Sequence, residues 1–164
     1  LKAVITGNGE GAEQTLSDAM EKGLQPTELY LKVVLPTQRE LGRLWEQGQL
    51  SVSQEHLGTQ ISLAQLSRLK LLMPRKASIF KRAVVTTVEG DLHELPARII
   101  SDFLFVDGWD VDFLGVNTPT EDMVTFLKNR KPDLLAVSVT LAQCVPPARE
   151  LMSAVKSALP NLPV

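Results

Sequence analysis

Two residues two positions apart, Asp91 and His93, carry the most suggestive chemistry in the chain. An imidazole whose Nδ1 proton is held by a carboxylate presents Nε2 as an outward, neutral lone pair, the form in which histidine binds a metal. A spacing of two does not bring side chains onto one helical face, so the pair needs a loop. The segment Glu89, Gly90, Asp91, Leu92, His93, Glu94 follows a β-branched run and supplies one. An exposed structural histidine beside a chance acid is the plainer alternative. The other histidine, His56, adjoins Glu55, and nine residues lie between Trp45 and Glu55. They span the end of one predicted helix, a turn at Gly48 and the first turn of the next. An indole, a carboxylate and an imidazole can therefore face one space. The alternative is core packing by Trp45 and a satisfied polar His56.

The elements that hold these residues follow from hydrophobic period. Leu16, Ala19 and Met20 precede a stop at Gly23, and Pro26 opens a second helical run through Leu44, which Pro36 should kink. Ser51 with Gln54 has the form of a capping box, starting a third helix through Leu57, Ile61, Ala64 and Leu71. After the interruption at 74–78 the period changes. Apolar runs at Ala83 to Val88, Val111 to Leu114 and Leu134 to Val139 alternate with helical stretches, the pattern of parallel βαβ units. The prediction is an α/β chain with a helical bundle over 1–76 and a Rossmann-like or flavodoxin-like parallel sheet domain over 77–164. Leu162 to Val164 reads as the start of a fourth strand. Open doubly wound sheets generally have about five strands or more, so the sheet domain is expected to be truncated at its C-terminus.

Composition narrows the function. The chain has 164 residues, 17 Lys+Arg against 19 Asp+Glu, and 44% hydrophobic residues. That balance suits a folded soluble chain and lacks the basic excess that direct nucleic-acid or anionic-membrane binding requires. Cys144 is the single cysteine, which excludes an internal disulfide and a thiolate zinc cage. With no membrane-length apolar run and no secretory signal at Leu1, a cytoplasmic location is expected, and the missing initiator Met suggests a trimmed chain.

Taken together, the motifs resemble a known family. Trp45, Glu55 and His56, in the segment LWEQGQLSVSQEH, look like the cap signature of light-sensing cobalamin photoreceptors. Asp91, Leu92 and His93 resemble the start of the DxHxxG motif that those proteins share with methionine synthase and corrinoid methyl carriers. Ser138, Val139 and Thr140 stand where that family has its SxL or SxT element. The resemblance implies cobalamin, a cobalt cofactor, with His93 as the lower axial ligand and Asp91 fixing its tautomer. It also implies Ser138 and Thr140 beside the nucleotide tail, and Trp45, Glu55 and His56 near the upper ligand. The chain departs from the pattern at Pro96, where the motif has glycine, and at Glu46, where photoreceptor relatives carry a histidine.

Three functions follow as expectations. The first is a cobalamin-binding sensory or regulatory module, binding rather than catalytic, with adenosylcobalamin as cofactor and light as a signal passed to a protein partner or a second copy. The second is a corrinoid carrier in methyl transfer, using methylcobalamin and docking to a methyltransferase. The third is a cofactor-free adaptor.

Overall fold

In the computed structural model, which describes residues 1–164, the change of hydrophobic period falls between two units, Leu1–Met73 and Pro74–Val164. The first is helical. A single turn, α1 (Lys2–Ile5), leads to α2 (Gly9–Glu21), where the Asn8 side-chain oxygen accepts the Gly11 N–H at 2.8 Å and caps the helix. Proline at the first position opens α3 (Pro26–Leu29), and the Glu28 carboxylate accepts the Gln25 N–H at 3.0 Å. A π turn over Tyr30–Val34 joins it to α4 (Leu35–Glu46). The capping box predicted for α5 (Val52–Leu72) is formed: Ser51 N–H donates to Gln54 Oε1 at 2.9 Å, and Gln54 N–H to Ser51 Oγ at 3.3 Å.

The disturbance expected at Pro36 takes the form of that π turn. Proline has no N–H, and its ring would press on the carbonyl four residues back. The chain answers by widening the preceding turn, so that the Leu35 N–H reaches Tyr30 O. Leu29, Tyr30, Leu41 and Leu66 are fully buried in this unit, and the Tyr30 hydroxyl donates to Leu66 O at 2.6 Å, tying the π turn to α5. Each such side chain contributes about 1.5–3 kcal/mol by leaving water.

The second unit runs β1 (Arg82–Thr87), α6 (Glu94–Val106), β2 (Asp110–Phe113), α7 (Thr120–Arg130), β3 (Leu134–Ser138), a 3-10 turn at Ala142–Cys144, and α8 (Val145–Ala158). The strands are parallel in the order β2-β1-β3, with Val85 opposite Phe113 on one side and Ala136 on the other. From β1 the chain steps one way to β2, then back across to β3. Right-handed crossovers place α6 and α7 on opposite faces for that reason. One face is filled by Val84, Met123, Leu127, Leu135, Leu151 and Val155, a single cluster drawn from the sheet, α7 and α8. At the amino ends of the strands Arg82 bonds Asp110 at 2.6 Å, and Arg130 bonds Asp112 at 2.8 Å. The Arg130 hydrogen bond, opposed by partial burial and aided by the charges of Arg130 and Arg82, holds the Asp112 carboxyl below its ordinary range.

The architecture is thus a helical N-terminal region followed by a Rossmann-like parallel sheet, as the periodicity indicates. The fourth strand expected at Leu162–Val164 is present only as one ladder bond, from Leu135 N–H to Pro163 O at 2.9 Å. Pro163 itself has no N–H to return to β3. No helix is long and apolar enough to cross a membrane.

One turn of this unit is set by glycine. Gly108 joins α6 to β2 at φ +95°, and a Cβ there would lie 2.3 Å from the carbonyl oxygen of Ala77. Gly108→Ala is therefore expected to lower stability by about 3 kcal/mol, the combined cost of a left-handed alanine and a backbone collision. Urea titration would read this as a lower midpoint at unchanged slope.

Candidate functional site

The strand order reverses between β1 and β3, and in folds of this kind ligands bind at the carboxyl edge of the sheet beside such a reversal. The loops leaving these two strands meet there. Asp91, in the first, is fully buried, and its Oδ1 lies 2.8 Å from Nδ1 of His93 while also accepting the His93 backbone N–H at 3.0 Å. Its Oδ2 accepts the Thr140 N–H from the second loop at 2.7 Å. Burial pushes the Asp91 carboxyl up; the two backbone N–H groups and the imidazole outweigh it, and the net displacement is downward. The acid is thus an ionised acceptor at neutral pH, and the Nδ1 it faces is the donor. Nε2 is left as the outward lone pair on a ring that is 45% exposed.

This arrangement has a consequence for acid stability. A carboxyl depressed on folding stabilises the native state in full above its unfolded value of about 3.9, and that contribution is lost as pH falls through the lower folded value. Asp91→Asn should cost about 1–3 kcal/mol at pH 7, since an amide cannot accept from all three donors. Below about pH 4 the gap to the wild type should narrow. Urea midpoints measured from pH 7 to pH 2 check both limbs.

Ser138 closes β3, half-buried, opposite Thr87 in the ladder. Thr140 is exposed, and its ordered contact with the site is its backbone N–H rather than its hydroxyl. Pro96 is the third residue of α6, where the helix leaves N–H groups without partners, so proline is accommodated. Two residues that the sequence reading passed over also hold the loop. The Thr87 hydroxyl donates to Asp91 O at 2.8 Å, and the Asn117 side chain accepts the Gly90 N–H at 2.8 Å. Asn117 follows β2 in a loop with Gly115, and glycine and asparagine are the residues that adopt left-handed backbone most readily. That was the available signal.

In the helical unit, Trp45 ends α4 with its side chain substantially exposed, and its indole makes no hydrogen bond within the chain. Glu55, in the first turn of α5, accepts from the Thr59 hydroxyl at 2.8 Å, and that oxygen also lies 3.1 Å from Gln38 Oε1. Gln38 continues the ladder by donating to Ser62 Oγ at 2.5 Å. The carboxylate is thereby fixed, whereas His56 projects into solvent with Nε2 3.8 Å from Glu55.

No three His, Cys, Asp or Glu side chains converge to hold a metal ion. One oriented imidazole without companions cannot build a metal site by itself. A single imidazole held in one tautomer is the kind of donor that the cobalt of the expected cobalamin would take, so the residues present fit that group.

Comparison with known proteins gives the same direction. Residues 81–164 match a family model described as B12 binding domain, and residues 1–70 match a second model of that description. Dimethylamine corrinoid protein 1 of Methanosarcina acetivorans is 29% identical over 156 residues, 94% of this chain and 73% of that protein. Trimethylamine corrinoid protein 1 of Methanosarcina mazei is 28% identical over 142 residues, 85% of this chain and 66% of its own length. Among solved structures, the monomethylamine corrinoid protein of Methanosarcina barkeri aligns with a TM-score of 0.81 at 18% identity, covering 96% of this chain and 76% of that one. The methanol:cobalamin methyltransferase complex of the same organism aligns at 0.53 and 20% identity, over 95% of this chain and 60% of that one. At such identities the structures speak for the fold. With its sheet unit matched from residue 81 to residue 164, the chain belongs to the B12-binding domain family.

Proposed function

We propose that this chain is a corrinoid carrier in methyl transfer, with His93 as the lower axial ligand to cobalt. The observation that carries the reading is the Asp91–His93 pair, a fixed tautomer aimed outward from the carboxyl edge of the sheet. Bound cobalamin would supply a cobalt–carbon bond able to hold and release a methyl group. The chain's part is ligation and orientation. Asp91 accepts from Nδ1 and so fixes the tautomer and orientation of the ring, and Thr140, through its N–H, keeps Asp91 in place. Ser138 and Thr140 are proposed beside the nucleotide tail, and Trp45, Glu55 and His56 as the helical unit's contacts to the cofactor. A methyltransferase is the proposed partner, by analogy with the methanol:cobalamin methyltransferase complex that this chain resembles in fold. The domain limits 1–76 and 77–164 are proposed as the cap and the cofactor-binding unit.

A second reading is favoured by one observation, the exposed indole of Trp45 within a photoreceptor-like cap signature. In it the cofactor is adenosylcobalamin, and light-driven loss of the adenosyl group is the signal. A single experiment divides the two. The protein is mixed in the dark with methylcobalamin or adenosylcobalamin, passed through gel filtration, examined by absorption, then illuminated. The carrier reading expects methylcobalamin to be retained without a light-dependent change of assembly. Selective retention of adenosylcobalamin with such a change would replace it by the sensor, and retention of neither would end both.

A further inference from the structure

We propose that Thr87 and Asn117 form a clamp that sets how firmly His93 is offered as an axial ligand, a role that rests on the reading of His93 given above. Thr87 is the last residue of β1 and fully buried. Its hydroxyl donates to Asp91 O at 2.8 Å and accepts the Asn117 N–H at 3.1 Å. Asn117 in turn accepts the Gly90 N–H on its side-chain oxygen at 2.8 Å. The loop after β2 therefore holds the loop after β1 directly at Gly90 and, through the Thr87 hydroxyl, at Asp91.

Asp91 has no slack with which to absorb a shift. Its N–H bonds Val88 O at 3.1 Å, its carbonyl is held by Thr87, and its carboxylate is occupied by His93 and Thr140. Movement of this backbone passes directly to the imidazole. Asn117 makes its contacts from φ +58°, and Gly90 receives one at φ +83°. Asparagine is among the residues that take left-handed backbone most readily, and from that conformation Asn117 sets both its N–H and its side-chain oxygen on the neighbouring segment. Thr87 and Asn117 are positioning residues, since they act through Asp91 on His93.

The test compares wild type, Thr87→Val, Thr87→Ser and Asn117→Gly, each loaded with cob(II)alamin. Asn117→Gly removes the side-chain acceptor while leaving the left-handed backbone free of strain. Thr87→Val removes the hydroxyl, and Thr87→Ser restores it. Electron paramagnetic resonance follows the axial nitrogen coupling against pH, with ¹⁵N-histidine labelling to separate imidazole from the cofactor's own benzimidazole. The wild type is expected to show a histidine nitrogen that is lost on acidification. In Thr87→Val and Asn117→Gly the midpoint of that loss should rise by about one pH unit, a tenfold weakening of the ligated state. Thr87→Ser should follow the wild type. Unchanged midpoints in Asn117→Gly, whose fold is not at risk, would overturn the clamp while leaving His93 as ligand. A wild type with no histidine coupling at any pH would remove the His93 reading, and the clamp with it.

Discussion

His93→Ala is expected to weaken cobalamin retention by about 100-fold, the upper end of the range seen when groups that support a metal ligand are lost. It should also remove the histidine-ligated absorption spectrum. The fold should hardly notice. The imidazole is 45% exposed, and in the alanine variant Asp91 Oδ1 still has the backbone N–H of residue 93, while Oδ2 still has that of Thr140. A stability change under about 1 kcal/mol is therefore expected, close to the net value of a single hydrogen bond. Equilibrium dialysis with aquacobalamin, set beside a urea titration of the same samples, separates the two quantities. Loss of cofactor with an unmoved urea midpoint identifies a ligand; a parallel fall in both would make His93 a structural residue.

The opposite signature is expected from Leu135→Ala. Leu135 is fully buried in β3, in the cluster that joins the sheet to α7 and α8. Truncation should cost about 2–5 kcal/mol, from lost transfer energy and a cavity that the neighbours fill incompletely. Against a total stability of about 5–15 kcal/mol this is a large fraction. Because β3 delivers Thr140 to Asp91, cofactor binding should fall once the sheet unit begins to unfold, and recover when temperature is lowered or excess cobalamin is added. Thermal melts with and without cobalamin check this. A cavity variant that binds poorly while still fully folded would show that the strand's packing tunes the site directly.

These contrasts reflect how differently the two residues could be read beforehand. His93 was legible because Asp91 and His93 lie within one loop, and the period of the flanking segments placed that loop after a strand. The Ser51 cap of α5 and the stops at Gly23 and Gly48 were legible for the same reason, since each is settled within a few residues. The π turn before Pro36 was visible only as a disturbance. Which carbonyl would be relieved depends on Tyr30 reaching Leu66, 36 positions away. The cap residues show the limit of spacing arguments. Helical phase places Thr59 one turn beyond Glu55, within reach of its carboxylate, but only packing against α4 brings Gln38 to that pair, while His56 is left to solvent.

By itself the sequence determined the alternation of helices and short buried strands, the change of period near Pro74, and the carboxylate–imidazole pair. Each rests on contacts between near neighbours, which backbone geometry dictates wherever the rest of the chain lies. The tertiary structure alone decided that Thr140 serves through its N–H, that Thr87 and Asn117 grip the loop, and that Asp91 is buried deeply enough to make every one of those bonds count. The contacts of Asn117 and Thr140 join residues 27, 30 and 49 positions apart across adjacent strands. Strand order and register bring them together, and neither is written in any local window of the chain.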